Sequence, residues 1–337
     1  MKKNQVRLKD IAEMLNLTVA TVSRALRDSY DISPETKKRV IELAKSLNYK
    51  PNPLAVGLKK NKTFNVGVII PSLWYYYNSA AVSGMEEVLE EHGYSVLICQ
   101  SKESYKREVI QVKNLVDSRV DAIFASISQS TIEYDHFLEA QEEGIPVLFF
   151  DRTPEIEDFS KVVIDNKLAA LKAITHLFEK GRKRIAFIAG PEKLKISKKR
   201  YQGYEEAYQN HGLEIDKNLI INCNFTKNMG YQATKDFLKK NIAFDGLFAI
   251  NDRTCIGAVA AIKEAGFKIP EDVAVVGFND EPTVQYLNPP LTTIRQPAFE
   301  MGKEVANLFL KERNKSNLNT APTKIVLETE LIVRRST

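Results

Sequence analysis

Cysteine is scarce, three residues in a chain of 337. Cys99, Cys223 and Cys255 stand far apart with no Cys-x-x-Cys pair, which argues against a zinc site or a disulfide framework and reads as small buried hydrophobes. The four histidines, His92, His136, His176 and His211, are as dispersed. They lack metal-ligand spacing and read as surface or helix-end residues, so neither a metal nor a cofactor is expected. Long apolar runs are missing too: no stretch reaches the ~20 residues of a membrane span. The opening Met1-Lys2-Lys3-Asn4-Gln5 has none of the apolar run of a secretory signal, so a cytoplasmic protein without a membrane partner is expected. There is no Gly-x-Gly-x-x-Gly and no Walker loop. No Ser/His/Asp or paired-carboxylate signature is recognisable, so no catalytic residue is assigned and an enzyme is not expected.

What the chain does have is length, apolar content and an uneven charge. At 44% hydrophobic it can build a real core, and its length suggests two or three domains. Residues 1–62 carry 14 Lys and Arg against 6 Asp and Glu, whereas the remainder carries 34 against 37. The formal net charge of +5 is therefore a basic head on a slightly acidic body. Such a footprint fits nucleic-acid contact by the head alone, although without a motif a solvated lysine-rich face would be the preferred reading.

The head carries a motif. Ile11, Ala12 and Leu15 share one helical face. Asn16-Leu17 make a short turn in which Asn tolerates the left-handed region. Thr18 caps a second helix, Val19–Leu26, whose Val22 and Leu26 face inward and whose Thr21, Ser23 and Arg24 remain for a partner. Ser33-Pro34 announce a third helix, with Val40, Ile41, Ala44 and Leu47 as its apolar stripe and Lys37, Lys38, Arg39 and Lys45 outside. Three helices with a tight turn between the first two make a DNA-reading unit.

Residues 6–58 resemble the DNA-binding head of the lactose-repressor (LacI/GalR) family. The run Thr21-Val22-Ser23-Arg24-Ala25-Leu26 is similar to its recognition-helix signature. Asn48-Tyr49-Lys50-Pro51-Asn52-Pro53-Leu54-Ala55 is similar to its link into the hinge, and the resemblance continues through the whole chain. It implies that Val19, Ala20 and Arg24 read bases, the arginine fork suiting guanine and the two apolar residues a thymine methyl. Thr18, Thr21, Ser23, Asn52 and Ala55 are implied to complete the contact, chiefly to phosphate and sugar. It also implies a hinge helix over 52–58 in which Leu58 wedges into the minor groove. So short a helix, with Gly57 inside it, is marginal alone. Arg7 stands where the family usually has a capping threonine, and Asn16 replaces a turn glycine.

Beyond residue 62 short apolar runs alternate with amphipathic segments. Candidate strands are Val66–Ile70, Ser95–Cys99, Ala122–Ser126, Val147–Asp151, Val162–Ile164, Arg184–Ala189, Leu219–Asn222, Gly246–Ile250 and Val273–Phe278, with helices such as Ser79–His92 and Thr254–Ala265 between them. Strand–helix alternation gives an α/β body with parallel sheets and helices on both faces. The resemblance implies two periplasmic-binding-protein-like lobes joined by three crossovers, expected near residues 162, 291 and 321. The expected domains are therefore a helix-turn-helix head over 1–51, a hinge over 52–62, a first lobe of 63–162 plus 292–321, and a second of 163–291 plus 322–337.

Ligands in open α/β sheets bind beyond the carboxyl ends of the strands. That rule points to Pro71-Ser72, Asp151-Arg152, Asn251-Asp252 and Asn279-Asp280, with Phe278 beside the last pair. Carboxylates, amides, arginine forks and an aromatic ring suit a polyol. The resemblance implies that Asp151, Arg200, Phe225, Asn251, Asp280 and Gln296 contact an effector. Singly, Asp151 or Asp280 could instead cap a helix, and Phe225 could be core. In the cluster Trp74-Tyr75-Tyr76-Tyr77-Asn78, Trp74 or Tyr77 either stacks on the ligand or packs the lobe.

The expected protein is a repressor of carbohydrate-metabolism genes. It would act as a homodimer, without an appended heptad repeat for a tetramer, on a near-palindromic double-stranded operator, with a small sugar as effector. A purine-sensing repressor is the alternative, since Arg200 and Phe225 could bracket a flat base. A solute-binding protein is opposed by the basic head.

Overall fold

A computed structural model describes residues 6–49, 62–313 and 321–337. The chain divides into two compact units, Met1–Thr63 and Phe64–Thr337.

The first unit holds three helices: α1 (Leu8–Leu15), α2 (Val19–Ala25) and α3 (Pro34–Ser46). Their ends follow from side-chain chemistry. The Thr18 hydroxyl accepts from the Thr21 N–H at 3.1 Å, and Ser33 accepts from Thr36 ahead of Pro34. Asn16 ends α1 in the left-handed region at φ 54°, as the turn requires. Arg7 offers no acceptor as a cap, and the missing threonine is partly replaced by Asp10, whose carboxylate accepts the Arg7 N–H at 2.7 Å. Ile11, Ala12, Val22, Ala25, Val40 and Ala44 form the small core, with Leu15, Leu26, Leu43 and Leu47 packed against it. One expectation fails here: Ile41 is 38% exposed. The stripe of α3 runs through Val40, Leu43, Ala44 and Leu47, leaving Ile41 on the flank. The hinge residues Asn52, Ala55 and Leu58 lie outside the described residues.

The second unit is built on two six-stranded sheets. The first lobe strings β1 (Asn65–Ile70), α4 (Tyr76–Glu91), β2 (Ser95–Gln100), α5 (Tyr105–Asp117), β3 (Ala122–Ala125), α6 (Asp135–Glu142), β4 (Val147–Phe150) and β5 (Ser160–Ile164). The second strings α7 (Asn166–Glu179), β6 (Ile185–Ala189), α8 (Lys195–Asn210), β7 (Ile220–Asn222), α9 (Lys227–Leu238), β8 (Gly246–Ala249), α10 (Asp252–Glu264), β9 (Ala274–Asn279) and β10 (Thr292–Arg295). The chain returns to the first lobe as α11 (Ala298–Arg313) and β11 (Lys324–Leu327), then ends in the second as β12 (Glu330–Ile332). Strand orders are β11-β5-β4-β3-β1-β2 and β12-β10-β9-β8-β6-β7. Pairing is parallel except for β12 on β10. Inner strands such as β1, β3 and β4 are buried on both faces, as helix-covered parallel sheets require.

Three boundaries differ from the expectation. Residues 163–164 stay in β5. Thr292–Arg295 extends the second sheet beside β9, not the first, and Lys324–Leu327 pairs with β5, not with the second sheet. The crossovers therefore fall at about residues 165, 296 and 328. The physical reason is the ladder: Thr292, Thr293 and Ile294 are fully buried, and β9 supplies their backbone partners before the chain leaves. In the first lobe α11 packs backbone to backbone on α4. A Cβ at Gly84 would lie 2.0 Å from the Phe299 carbonyl, and one at Gly302 1.9 Å from that of Ala81, so only glycine permits this approach.

Cys223 and Cys255 are buried and Cys99 is half-buried. His92 and His211 cap helix C-termini. His136 and His176, read as surface or helix-end residues, are both buried. The first hydrogen-bonds the buried Glu108 carboxylate at 3.2 Å and the second the Thr337 hydroxyl at 2.9 Å. Among the described residues no helix is long and apolar enough to cross a membrane.

Candidate functional site

On the head, α2 presents Val19, Ala20 and Arg24 outward, and Thr18 beside them is exposed. Val19 is 46% exposed, an apolar cost that a thymine methyl would offset. The other positions are partly committed already. The Thr18 and Thr21 hydroxyls bond each other at 2.8 Å. Ser23 accepts the Arg27 guanidinium on both its hydroxyl and its carbonyl. Arg24 donates Nη1 to Asp31 at 2.6 Å. A hydrogen bond from Ser29, and then the Arg24 charge, hold the Asp31 carboxyl below its ordinary value. This pair, with Nε donating to the Ala20 carbonyl at 3.5 Å, orients the guanidinium.

In the second unit the strand ends converge on a cavity of about 40 Å³ between the lobes. From the first lobe come Tyr75, Tyr77 and Asn78, at the start of α4, and Asp151-Arg152 after β4. From the second come Arg200 on α8, Phe225 before α9, Asn251 and Arg253 at the start of α10, and Asn279 and Glu281 after β9, with Gln296 at the second crossover. Asp151 turns its backbone left-handed at φ 57°. Burial raises its carboxyl despite Arg152 and Arg200, and no hydrogen bond to it exists among the described residues. Arg152 grips both Glu103 oxygens through Nη1, at 3.0 and 2.9 Å, and lays its Cζ 4.7 Å from the Phe225 ring centroid. Arg200 donates to Asn166 at 2.8 Å and to the Ile250 carbonyl, over the face of Phe278. Burial lowers it to about 10. Gln296 donates to Asn279, leaving its Oε1 buried without a partner, and burial also raises the Glu281 carboxyl.

Of the residues singled out in the sequence, Tyr77, Asp151, Arg152, Arg200, Phe225, Asn251, Asn279 and Gln296 meet at this cavity. Six do not line it, Ser72 among them. Trp74 is 84% exposed and Pro71 lies buried beneath the loop. Phe278 is a buried platform under Arg200. Asp252 is buried behind the site, accepting from the Glu281 N–H at 2.8 Å and the Thr293 hydroxyl at 2.7 Å. Asp280 turns away to pair with Arg295 and Arg334. Asn251 lines the cavity but spends its Oδ1 capping α10. Sequence reasoning missed Tyr75, Asn78, Ile196, Arg253 and Glu281. Four of them sit one residue from a chosen position, so the strand-end rule located the turns but not the facing side chain. Among the described residues no cluster of His, Cys, Asp or Glu could hold a metal ion.

Two family models match the chain: bacterial regulatory proteins of the lacI family over residues 7–52, and a periplasmic binding protein-like domain over 174–337. The transcriptional repressor CytR of Escherichia coli K12 is 32% identical over 331 residues, covering 98% of this chain and 96% of the relative. Among solved structures, a complex of the transcriptional regulator CelR with cellobiose superposes with a TM-score of 0.75 at 29% identity, covering 98% of this chain and 100% of that one. A lac repressor dimer on operator DNA superposes at 0.88 and 23% identity, with 99% of each chain covered, a likeness of fold. With both parts matched in order and one relative aligned almost end to end, the chain belongs to the lacI family of bacterial regulatory proteins.

Proposed function

We propose that this regulator is a homodimeric repressor of carbohydrate-metabolism genes, reading a near-palindromic operator through α2 and governed by a small sugar or sugar derivative held between its lobes. The observation that carries the effector half is the polarity of the cavity. The Asp151 and Glu281 carboxyls and the Gln296 Oε1, which has no partner among the described residues, stand with guanidiniums of Arg152, Arg200 and Arg253, and Tyr75, Tyr77 and Phe225 line the same cavity. Acceptors and fixed cationic forks match a polyol, whose hydroxyls donate and accept at close spacing. The cellobiose held by CelR supports the same class. Phe225 already has one face under Arg152, which disfavours sandwiching a purine against it.

The cavity has room for only a few waters, so a sugar enters as the lobes part and is retained as they close. A ligand shifts operator affinity only through its different affinity for the two arrangements. A coupling of about 1–3 kcal/mol changes that affinity roughly 5–150-fold. Positioning by Thr18, Thr21 and Ser23, with base readout by Val19, Ala20 and Arg24, makes binding both specific and strongly salt-dependent. The test is thermal unfolding of the full chain with a panel of mono- and disaccharides and of purines. A sugar raises the midpoint of the wild type and not of Gln296→Ala. A purine shift without any sugar shift overturns the effector class.

A further inference from the structure

A second concavity, of about 270 Å³, lies beside the β5–α7 crossover and shares only Asp151 and Ile196 with the effector cavity. Its wall is cationic. Lys161 on β5 and Lys324 on β11 come from the first lobe, and Lys167 on α7 with Lys195 and Lys199 on α8 from the second. We propose that it is a binding site for a small phosphorylated anion, a phosphate ester or pyrophosphate, which clamps the two lobes together.

Two of the five lysines are already neutralised, Lys161 by Glu157 at 2.6 Å and Lys167 by Glu206. Lys195, Lys199 and Lys324 have no carboxylate partner among the described residues. Of the nearby acids, Asp165 caps α7, accepting from the Lys167 and Leu168 N–H groups at 3.1 and 3.0 Å, Glu155 pairs with Lys198, and Asp151, which also lines the gap, has its carboxyl raised by burial. Burial and the facing Lys161 charge hold the Lys195 ammonium below its ordinary value, so like charges confront one another across the gap. The local helix worsens this. The first turns of α8 read Lys195-Ile196-Ser197-Lys198-Lys199-Arg200, with no acidic residue, and Leu194 at the cap position offers no acceptor. Cations at a helix N-terminus oppose its dipole, whereas an anion there gains both dipole and N–H groups.

The most specific sign is Asn166. It is 8% exposed, lines the concavity, and spends its Oδ1 on Arg200. Its amide NH₂ donates to nothing among the described residues. An amide donor without a partner among the described residues, on a mostly buried side chain beside three ammoniums that lack carboxylates, fits an anion with several acceptor oxygens. Because lysines of both lobes converge, the anion would relieve repulsion across the gap and favour closure. This site stands independently of the sugar reading.

The test is calorimetric titration of the full-length protein with inorganic pyrophosphate, inorganic phosphate and a hexose 6-phosphate at constant ionic strength. Saturable binding of at least one is expected, and the tighter class identifies an ester or a free anion as the source. Lys195→Gln and Lys324→Gln each weaken it about tenfold or more, Lys195→Arg retains it, and Gln296→Ala in the effector cavity and Lys240→Gln on the far surface leave it unchanged. Affinities equal in wild type, Lys195→Gln and Lys324→Gln, or no saturable binding of any probe, overturn the proposal.

Discussion

Across the mouth of the effector cavity the guanidinium of Arg253, on the second lobe, donates to the backbone carbonyl of Trp74, on the first, at 2.6 Å. The same group lies 5.2 Å from the centroid of the Tyr75 ring. This contact joins the two lobes at the rim of the cavity. Arg253→Ala removes a charge-assisted hydrogen bond and a cation–π contact, a loss of about 1–2 kcal/mol. Effector affinity, read by titration of the sugar found in the thermal panel, is expected to fall roughly 5–30-fold. Affinity for operator without effector should change far less.

Gln296 lines the cavity, whereas Asp280 pairs with Arg295 and Arg334 outside it. Gln296→Ala is expected to weaken the effector about tenfold or more with little change in stability, because its Oε1 has no protein partner. Asp280→Asn does the reverse. It strips a carboxylate that accepts from Arg295 at 2.8 Å and Arg334 at 2.7 Å, costing about 1–3 kcal/mol, while effector affinity survives. Chemical denaturation and ligand titration of the two variants read the contrast directly.

Arg24→Ala is expected to lose about 1–3 kcal/mol of discrimination between operator and random duplex if the fork reads guanine. Nonspecific binding, carried by the wider basic surface, should persist. Asp31→Ala frees the same guanidinium from its partner and should alter preference less, since an exposed pair contributes little. Competition binding at fixed salt distinguishes the two.

Asp252 makes stability pH-dependent. Burial raises its carboxyl from 3.8 to about 7, against hydrogen bonds from the Glu281 N–H and Thr293. Between those values the folded protein keeps a proton that the unfolded chain has released. The contribution of this group therefore falls as pH rises from about 4 to about 7, and is flat above. In Asp252→Asn that titration is gone. The stability of wild type relative to the variant is expected to decline between pH 5 and pH 8 in urea unfolding, and a constant difference would refute the assignment.

The local chemistry of the head was legible in the sequence. Thr18, Ser33 and Asn16 act as read because a cap or a left-handed turn depends on a residue and its immediate neighbours. The α/β alternation was legible for the same reason, each buried strand being a short apolar run. Apart from Ile196, the effector cavity was legible to within one residue. Asn279 rather than Asp280 faces it, because the chain leaves β9 with φ 123° and then 58°, breaking the alternation a strand would impose. Arg253 rather than Asp252 faces it because the start of a helix turns by about 100° per residue. The lobe boundaries were not legible, since which sheet takes Thr292–Arg295 or Lys324–Leu327 depends on long-range pairing. Nor did the lysines at 161, 195, 199 and 324, spread across the chain, announce that they meet.

The central claim is that occupancy of the inter-lobe cavity sets operator affinity. Its most direct test is titration of the full-length protein onto labelled DNA from the promoter of its own gene, at moderate salt, with and without the sugar found by thermal shift. The account predicts a preference over random duplex, a roughly 5–150-fold change in affinity on adding the sugar, and loss of that change, with operator binding kept, in Gln296→Ala. Equal affinity with and without every sugar that binds, or no preference over random duplex, would contradict it.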